Sequence, residues 1–230
     1  MKAGGGRDAA KRRAGESAAD LASDGDLVGL GTGSTAAHAI RALGRRVDAG
    51  LDVRGVATSH QARERAREAG VPLAHLDAVG SVDLAIDGAD QVADGGAALV
   101  KGGGAAHARE KVVDAAADRF VVVVDPTKLA DALDHPVPVE VLPDARAAVA
   151  RRLREAGGEP TLRTAERKDG PVITDNGNVV FDCAFGTIDD PEARAARLDG
   201  VPGVVAHGLF VGLADEVHVG RADGVTVERP

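Results

Sequence analysis

Short apolar runs alternate with longer amphipathic segments along the first half of the chain. Buried strands are predicted at residues 26–31, 51–57, 82–86 and 120–124, where each apolar run is bounded by glycine or polar residues. Helices are predicted between them, at 8–23 with Asp8 as N-cap, 35–43, 59–69 and 105–117. Strands that alternate with helices favour a parallel sheet covered by helices on both faces.

From residue 137 the pattern changes to the order strand, helix, strand, strand, helix, strand. Strand segments are predicted at 137–142, 160–164, 172–174, 178–183 and 204–207, and helices at 143–155 and 191–198. The Asp-Asn-Gly sequence at 175–177 is a strong hairpin signal. The element order matches a ferredoxin-like domain. We therefore expect the α/β class, with a smaller α+β ferredoxin-like domain (131–207) inserted near the C-terminus of a Rossmann-like parallel-sheet domain (1–130, completed by 208–230).

Composition excludes several classes of protein. The 230 residues carry a net charge of -8 and include four Phe, one Cys and no Trp or Tyr. An acidic chain without stacking aromatics is poorly suited to nucleic acid, so no such partner is expected. A lone cysteine excludes an intrachain disulfide and favours a reducing compartment. Because no apolar run reaches about 18 residues and the N-terminus lacks a signal-peptide core, we expect no membrane association and a cytoplasmic location.

The residues with most chemical potential follow the predicted strands directly. Ligands of parallel sheets bind outside the carboxyl ends of the strands. Thr32–Thr35 follow the first strand, Thr58 and Ser59 the second, and Asp87 the third, while Lys101 follows a short apolar run and Lys128 comes soon after the strand at 120–124. We expect these segments to meet along one edge of the sheet.

The sequence GLGTGST at 29–35 predicts a glycine turn that opens a helix. Backbone N–H groups and hydroxyls at a helix N-terminus favour an anion, although a plain tight turn is the simpler alternative. A dinucleotide site is disfavoured because Ser34 stands where its glycine pattern needs glycine, and a frame starting at Gly31 fits only with Ala36 as the last member. No acidic residue ends the second strand, and no P-loop lysine follows. A phosphate site without a nucleotide fits best.

The stretch 87–111, DGADQVADGGAALVKGGGAAHAREK, combines carboxylates, a lysine and three consecutive glycines. Asp87 and Asp90 could serve as turn or cap residues, and Glu110 could be an ordinary exposed helix residue. Their proximity to Lys101 favours a catalytic site instead, because an ammonium beside exposed backbone amides suits an oxyanion.

The sequence gives little support for a metal site or a catalytic cysteine. None of the seven histidines has the spacing of a metal-binding motif, so each is better explained by packing or surface exposure, and no metal is expected. Cys183 alternates with Phe181 and Phe185 on one strand, which is typical of core packing.

Taken together, GLGTGSTAAH, DGAD, KGGGAAHAREK, VVDPTK and VITDNGNVVFD resemble the A-type ribose-5-phosphate isomerases. The resemblance runs from about residue 8 to the C-terminal region. It implies interconversion of D-ribose 5-phosphate and D-ribulose 5-phosphate through an enediol intermediate, in the pentose phosphate pathway, without metal or cofactor. It also implies a homodimer or homotetramer.

The resemblance further implies a role for each matching residue. Glu110 would be the general base, Asp87 would assist ring opening, and Lys101 with the glycine amides would stabilise the enediolate. The implied substrate-binding residues are Lys11, Thr32, Gly33, Ser34, Thr35, Asp87, Gly88, Ala89, Asp90, Lys101, Gly102, Gly103, Gly104 and Lys128. Gln91 and His107 depart from the family pattern, but neither has an implied role.

Two other functions compete with this interpretation. A non-catalytic sugar-phosphate sensor would share the fold, but it would not need Glu110, and no DNA-binding segment precedes residue 26. A nicotinamide oxidoreductase would need the dinucleotide pattern that the first glycine turn lacks.

Overall fold

The computed structural model of the chain describes residues 4–167 and 169–230, with side chains from Asp8 onward. Six α-helices lie in this part of the chain: α1 Gly4–Ala19, α2 Ala36–Asp48, α3 His60–Glu68, α4 His107–Ala115, α5 Arg146–Glu155 and α6 Pro191–Asp199. The strands are β1 Leu27–Leu30, β2 Arg54–Ala57, β3 Leu73–Ala74, β4 Leu84–Asp87, β5 Gln91–Ala93, β6 Ala98–Val100, β7 Phe120–Val124, β8 Val137–Val141, β9 Glu159–Leu162, β10 Val179–Ala184, β11 Val204–His207, β12 Leu209–Val211, β13 Glu216–Gly220 and β14 Val225–Glu228.

The largest sheet has seven strands in the order β14-β13-β7-β4-β1-β2-β3. All neighbours are parallel except β13 and β14, which are antiparallel. Strand β7 shows how both faces are buried. Val121 and Val123 pack into the core on the side of α1, α2 and α3, whereas Phe120 and Val122 pack on the opposite face, against Phe210. Strands β1, β4 and β7, which lead into candidate residues, are thus the three central strands of this sheet.

A four-stranded antiparallel sheet in the order β11-β8-β10-β9 forms a second unit with α5 and α6. Its core is aliphatic, with Val139 and Leu153 fully buried. The chain order strand, helix, strand, strand, helix, strand is the ferredoxin-like pattern predicted from the sequence. The observed architecture agrees with the predicted α/β fold class.

A third sheet, β12-β6-β5, was not predicted. Each of its strands has three residues, and β12 comes from near the C-terminus to pair with β6. The sheet packs Leu99 and Phe210 against the underside of the main sheet. Its importance for the site is that β6 ends immediately before Lys101.

Two local predictions were wrong. Helix α1 begins at Gly4, so Asp8 lies inside it, and the Asp8 carboxylate contacts His38 Nε2 at 3.1 Å rather than capping the helix. The Asp-Asn-Gly turn is present, but residues 172–174 form no strand. They contribute only an isolated bridge between Ile173 and Val179, because β10 pairs instead with β8 and β9.

No helix in the described ranges has the length and apolar character needed to cross a membrane.

Candidate active site

Four charged side chains, Asp87, Lys101, Glu110 and Asp114, lie together below the carboxyl edge of the main sheet. We call them the buried quartet. Each is at most 3% exposed. The Lys101 ammonium is the common centre, with Asp87 Oδ2 at 2.8 Å, Glu110 Oε2 at 3.6 Å and Asp114 Oδ2 at 3.6 Å from Nζ. Charges this deeply buried are tolerated only when they compensate one another.

Asp87 is held by the turn that follows the neighbouring strand. Its Oδ1 accepts hydrogen bonds from the backbone N–H of Thr32 at 3.0 Å and of Gly88 at 2.7 Å. A Cβ on Gly31 would lie only 2.0 Å from the same oxygen, so this position requires glycine. The glycine turn thus has a second purpose besides its predicted anion site, since it lets the backbone approach the carboxylate.

Lys101 extends from the end of β6 into the quartet. Besides its carboxylate contacts, Nζ donates a hydrogen bond of 2.6 Å to the carbonyl of Gly88. The rings of Phe120 and Phe210 lie 5.8 and 5.2 Å from Nζ, within cation–π distance. Burial opposes the charge, but the carboxylates outweigh it and raise the pKa of Lys101, so the ammonium stays protonated.

Glu110 and Asp114 are one turn apart on α4 and therefore share a face. Burial raises the pKa of Glu110 to about 8, although the Lys101 ammonium opposes this. Burial also raises the pKa of Asp114 well above its usual range, and it raises the pKa of Asp87 against the opposing effect of Lys101. A carboxylate with a pKa near neutrality is suited to accept and return a proton.

The predicted loop Thr32–Thr35 lies above the quartet, at the start of α2. Thr32 Oγ1 is 2.9 Å from Thr58 Oγ1 and donates a 2.7 Å hydrogen bond to Ser59 Oγ. Gly33 has φ +113°, a conformation that favours glycine. From α1, Lys11 Nζ donates a 3.0 Å hydrogen bond to Ser34 Oγ. An ammonium, hydroxyls and a helix N-terminus therefore converge, which favours binding of an anion.

The glycine loop 102–104 forms the opposite wall. Gly103 N donates a 2.7 Å hydrogen bond to Asp90 Oδ2, and a Cβ on Gly103 would lie only 2.6 Å from Asp90 Oδ1. Gly104 approaches the Thr32 side chain across the gap, since its Cβ would lie 3.2 Å from Thr32 Cγ2. The two predicted loops therefore face each other at contact distance.

These loops enclose a cleft of about 140 Å³. Its lining consists of Lys11, Thr32, Gly33, Ser34, Thr35, Gly88, Ala89, Asp90, Gly102, Gly103, Gly104, Glu110 and Lys128. Every one of these residues was assigned to the site from the sequence. Asp87 and Lys101 lie just beneath the cleft rather than in its lining, which makes Glu110 the member of the quartet that lines it.

Three residues near the site were not foreseen. Asp114 completes the quartet. Its position four residues after Glu110 on a predicted helix already indicated that the two carboxylates share a face. Arg163, from the end of β9, donates hydrogen bonds to the carbonyls of Gly102 and Gly103. His107, noted only as a departure, is fully buried against the glycine loop, and a Cβ on Gly102 would lie 2.7 Å from its Nδ1. Burial lowers the pKa of His107 to about 3, so the ring is neutral.

Gln91, the other residue that departs from the family pattern, has a structural role. Its side chain donates to Asp134 Oδ1 at 2.6 Å and accepts from the backbone N–H groups of Asp134 and His135 at 2.9 Å each. These bonds fix the segment that leads into β8. Among the described residues, no group of three or more His, Cys, Asp or Glu side chains is arranged to hold a metal ion.

The sequence model of the family described as ribose 5-phosphate isomerase A (phosphoriboisomerase A) matches residues 54–224. The chain belongs to this family. It is 67% identical to the ribose-5-phosphate isomerase A of Halorubrum lacusprofundi over the full length of both chains. It is 69% identical to that of Haloarcula marismortui, over 97% of this chain and 96% of the relative. The family resemblance drawn from the motifs is confirmed.

Solved structures of ribose-5-phosphate isomerases share the whole fold. The enzyme of Methanocaldococcus jannaschii superposes with a TM-score of 0.92 at 45% identity, covering 96% of this chain and 98% of that one. A D-ribose-5-phosphate isomerase in complex with phospho-erythronic acid superposes with a TM-score of 0.94 at 42% identity, covering 97% and 99%. The α/β fold class predicted from the sequence is confirmed by these superpositions.

Proposed function

We infer that this chain interconverts D-ribose 5-phosphate and D-ribulose 5-phosphate, as an aldose–ketose isomerase of the family to which it belongs. The observation that carries the chemistry is Glu110, a buried carboxylate that lines the cleft and has a pKa raised to about 8. Such a group can take a proton from carbon at neutral pH and return it to the adjacent carbon. The rest of the site supplies orientation and charge.

The phosphate is proposed to bind at the N-terminus of α2. Lys11 and Lys128 supply positive charge there, and Ser34 and Thr35 supply hydroxyls. The relative that holds phospho-erythronic acid, an acyclic phosphate, supports a ligand of this kind. With the phosphate fixed at this end, the carbonyl end of an extended pentose reaches the glycine loop and Glu110.

The proton transfer is proposed to begin on the open-chain aldose. The Glu110 carboxylate removes the proton on C2, the electrons of that bond form the C1–C2 double bond, and the aldehyde oxygen takes the negative charge. Return of the proton to C1, with transfer of the O2 hydroxyl proton to O1, leaves the ketone at C2. The reaction needs no oxidant, because C2 loses the hydrogen that C1 gains.

Asp87 and Lys101 are proposed to act from beneath the cleft. Lys101 places a permanent positive charge within 3.6 Å of Glu110 and so favours the negative charge that develops above it. Asp87, whose pKa is raised by burial, directly precedes Gly88 and Ala89 of the cleft lining and is assigned the proton exchange of ring opening. Of the amides in the glycine loop, that of Gly103 already donates to Asp90 Oδ2, so those of Gly102 and Gly104 are assigned to the enediolate oxygen.

Several expectations from the sequence stay proposals. We propose that residues 1–130 with 208–230 form one domain and 131–207 the other, that the location is cytoplasmic, and that the chain assembles as a homodimer or homotetramer. The sensor alternative is weakened by the buried quartet, since binding a sugar phosphate needs no carboxylate with a pKa near neutrality.

A coupled assay of ribose 5-phosphate conversion with EDTA present tests the function. We expect turnover, and Glu110→Gln should lower kcat by about 10²–10⁴-fold while sugar-phosphate binding persists. Glu64→Gln is the matched control, because Glu64 is 63% exposed and pairs with Arg67 on the surface. Inactive wild-type protein, or activity restored by a divalent metal, would count against this function. An unchanged rate in Glu110→Gln would remove Glu110 from the role of base.

A further inference from the structure

Arg163 connects the ferredoxin-like unit to the glycine loop of the cleft. Its Nε donates to Asp182 Oδ2 at 2.9 Å and its Nη2 donates to Asp182 Oδ1, so the guanidinium is fixed by a bidentate pair. Its Nη1 donates to the carbonyl oxygens of Gly102 at 3.0 Å and Gly103 at 3.1 Å. The Arg163 side chain is 16% exposed, so most of its surface is shielded from solvent.

The two carbonyl contacts determine where the next two N–H groups point. All described peptide bonds are trans, and in a trans peptide the C=O and N–H bonds point in opposite directions. The first peptide shows this directly, because Gly102 O faces Arg163 while Gly103 N faces Asp90 Oδ2 at 2.7 Å. In the second peptide, Gly103 O also faces Arg163, so the Gly104 N–H points away from the ferredoxin-like unit.

The Gly104 N–H is left available to a ligand. Gly104 lines the cleft, and within the described part of the chain its N–H has no hydrogen-bond partner. A guanidinium on the carbonyl side of a peptide draws electron density from the amide and strengthens its N–H as a donor. A fixed, strengthened donor aimed at the position where negative charge develops stabilises a transition state without reorganising.

We propose that Arg163 is a positioning residue for the isomerisation, acting through the Gly103–Gly104 peptide to hold an N–H donor toward the enediolate oxygen. The proposal rests on the proposed function and adds a specific contribution from the ferredoxin-like unit. It assigns Arg163 no contact with the substrate. Its consequence is that Arg163 matters more for the transition state than for the bound sugar phosphate.

The test compares Arg163→Gln with wild type in three measurements. These are kcat and KM for ribose 5-phosphate, the inhibition constant of phospho-erythronic acid, and that of ribitol 5-phosphate. Phospho-erythronic acid carries an anionic carboxylate at the end of the chain opposite its phosphate, as the enediolate carries anionic oxygen, whereas ribitol 5-phosphate has no anionic oxygen there. We expect kcat and phospho-erythronic acid affinity both to fall by about 10–100-fold, with KM and ribitol 5-phosphate affinity within about threefold of wild type.

Arg151→Gln is the matched control, since Arg151 is 64% exposed on α5 and pairs with Glu155. Unchanged kcat in Arg163→Gln, or equal weakening of both inhibitors, would overturn the proposal, because a merely distorted cleft affects both alike. If Arg163→Gln does not fold, Arg163→Lys is measured. This variant keeps the charge but loses the bidentate pair. We again expect the affinity for phospho-erythronic acid to fall more than that for ribitol 5-phosphate, by a smaller factor than in Arg163→Gln. Wild-type protein that fails to convert ribose 5-phosphate would contradict the proposed function, whereas an active wild type with an equally active Arg163→Gln would contradict this inference alone.

Discussion

The floor and the rim of the cleft contain similar residue types in opposite environments. The floor is the buried quartet, in which each charge is at most 3% exposed and contacts another charge. The rim, formed by Lys11, Ser34 and Lys128, is in contact with solvent. On the floor, burial and the charges of the quartet together decide which groups carry a proton. On the rim, Lys11 and Lys128 are only half-buried, and their charge is proposed to attract and orient an anion. Identical lysines therefore have different functions on the two sides of the cleft.

The largest effect is expected on the floor, from Lys101→Met. Removing the ammonium leaves three buried carboxylates without their counter-charge, so we expect the free energy of unfolding to fall by about 3–5 kcal/mol. We also expect kcat/KM to fall by about 10²–10³-fold, because the cation below the enediolate is lost. Chemical denaturation and the coupled assay measure the two effects.

The control for Lys101→Met is Arg65→Met, which removes an exposed cation paired with Glu68. It should change the free energy of unfolding by about 0.5 kcal/mol or less. If both variants were equally stable, the quartet would not be the tightly coupled unit that its distances indicate.

The next effect is the pH dependence of the rate. Because Glu110 is proposed to work as the ionised base and its pKa is raised to about 8, kcat/KM should rise about tenfold per pH unit below that value and level off above it. Asp114→Asn removes a carboxylate from the same lysine, which leaves Lys101 more available to Glu110. The rising limb should then move to lower pH. If the rising limb stays at the same pH, Asp114 does not influence the pKa of Glu110.

The same shift predicts how stability changes with pH. The pKa of Glu110 is raised from an ordinary value of 4.5 to about 8 in the folded chain, so the folded state binds the proton more tightly. Its stabilising contribution is complete below pH 4.5 and is lost as the pH rises through about 8. Glu110→Gln does not lose this stabilisation as the pH rises. The difference in Tm between the variant and wild type should therefore increase in favour of the variant from pH 4.5 to about 8.

On the rim, Lys11→Met should act on binding alone. Loss of one charged partner for the phosphate should raise KM by about tenfold and leave kcat within about threefold. Arg12→Met, the neighbouring exposed cation on α1, is the control and should leave both constants unchanged. A large fall in kcat would show that the rim takes part in chemistry, which would remove the contrast between the two regions.

The smallest effect is expected between floor and rim. The Thr58 hydroxyl donates to the carbonyl of Leu30 at 3.0 Å and contacts Thr32 Oγ1 at 2.9 Å. Thr58→Val should cost about 1 kcal/mol of stability and lower kcat/KM by only a few-fold. Thr226→Val, at an exposed position of β14, should stay within about 0.5 kcal/mol of wild type.

The rim and the main sheet could be predicted from the sequence because their signals are local. Short apolar runs bounded by glycine or polar residues locate β1, β4 and β7, and the parallel topology then brings their carboxyl ends together. The third sheet could not be predicted in this way. Its strands have three residues each, too few to show a period, and β12 pairs with β6 from more than a hundred positions away.

The floor was predicted only in part, for a related reason. Glycines and the lysine mark the loop around Lys101, but Asp114 looks like any acidic residue in an alanine-rich helix. Only the packing of α4 against β4 shows that its side chain is buried. Arg163 is hidden in the same way, because its partners lie about sixty positions earlier in the chain, across two separate units. Long-range pairing of charged groups leaves no periodic trace in a sequence.

The contacts of Lys101 with three buried carboxylates have a further consequence, because they should protect its amine from the aldehyde of the substrate. Open-chain aldose phosphates carry a free aldehyde, which condenses with unprotonated lysine amines to give imines and then stable glycation products. Enzymes that use such condensation lower the pKa of the lysine, whereas here the three carboxylates raise it. The Lys101 amine is therefore held as a non-nucleophilic ammonium, covered by the backbone of Gly88. A cation is kept close to a reactive aldehyde without becoming a target for it, so borohydride trapping during turnover should leave Lys101 unmodified.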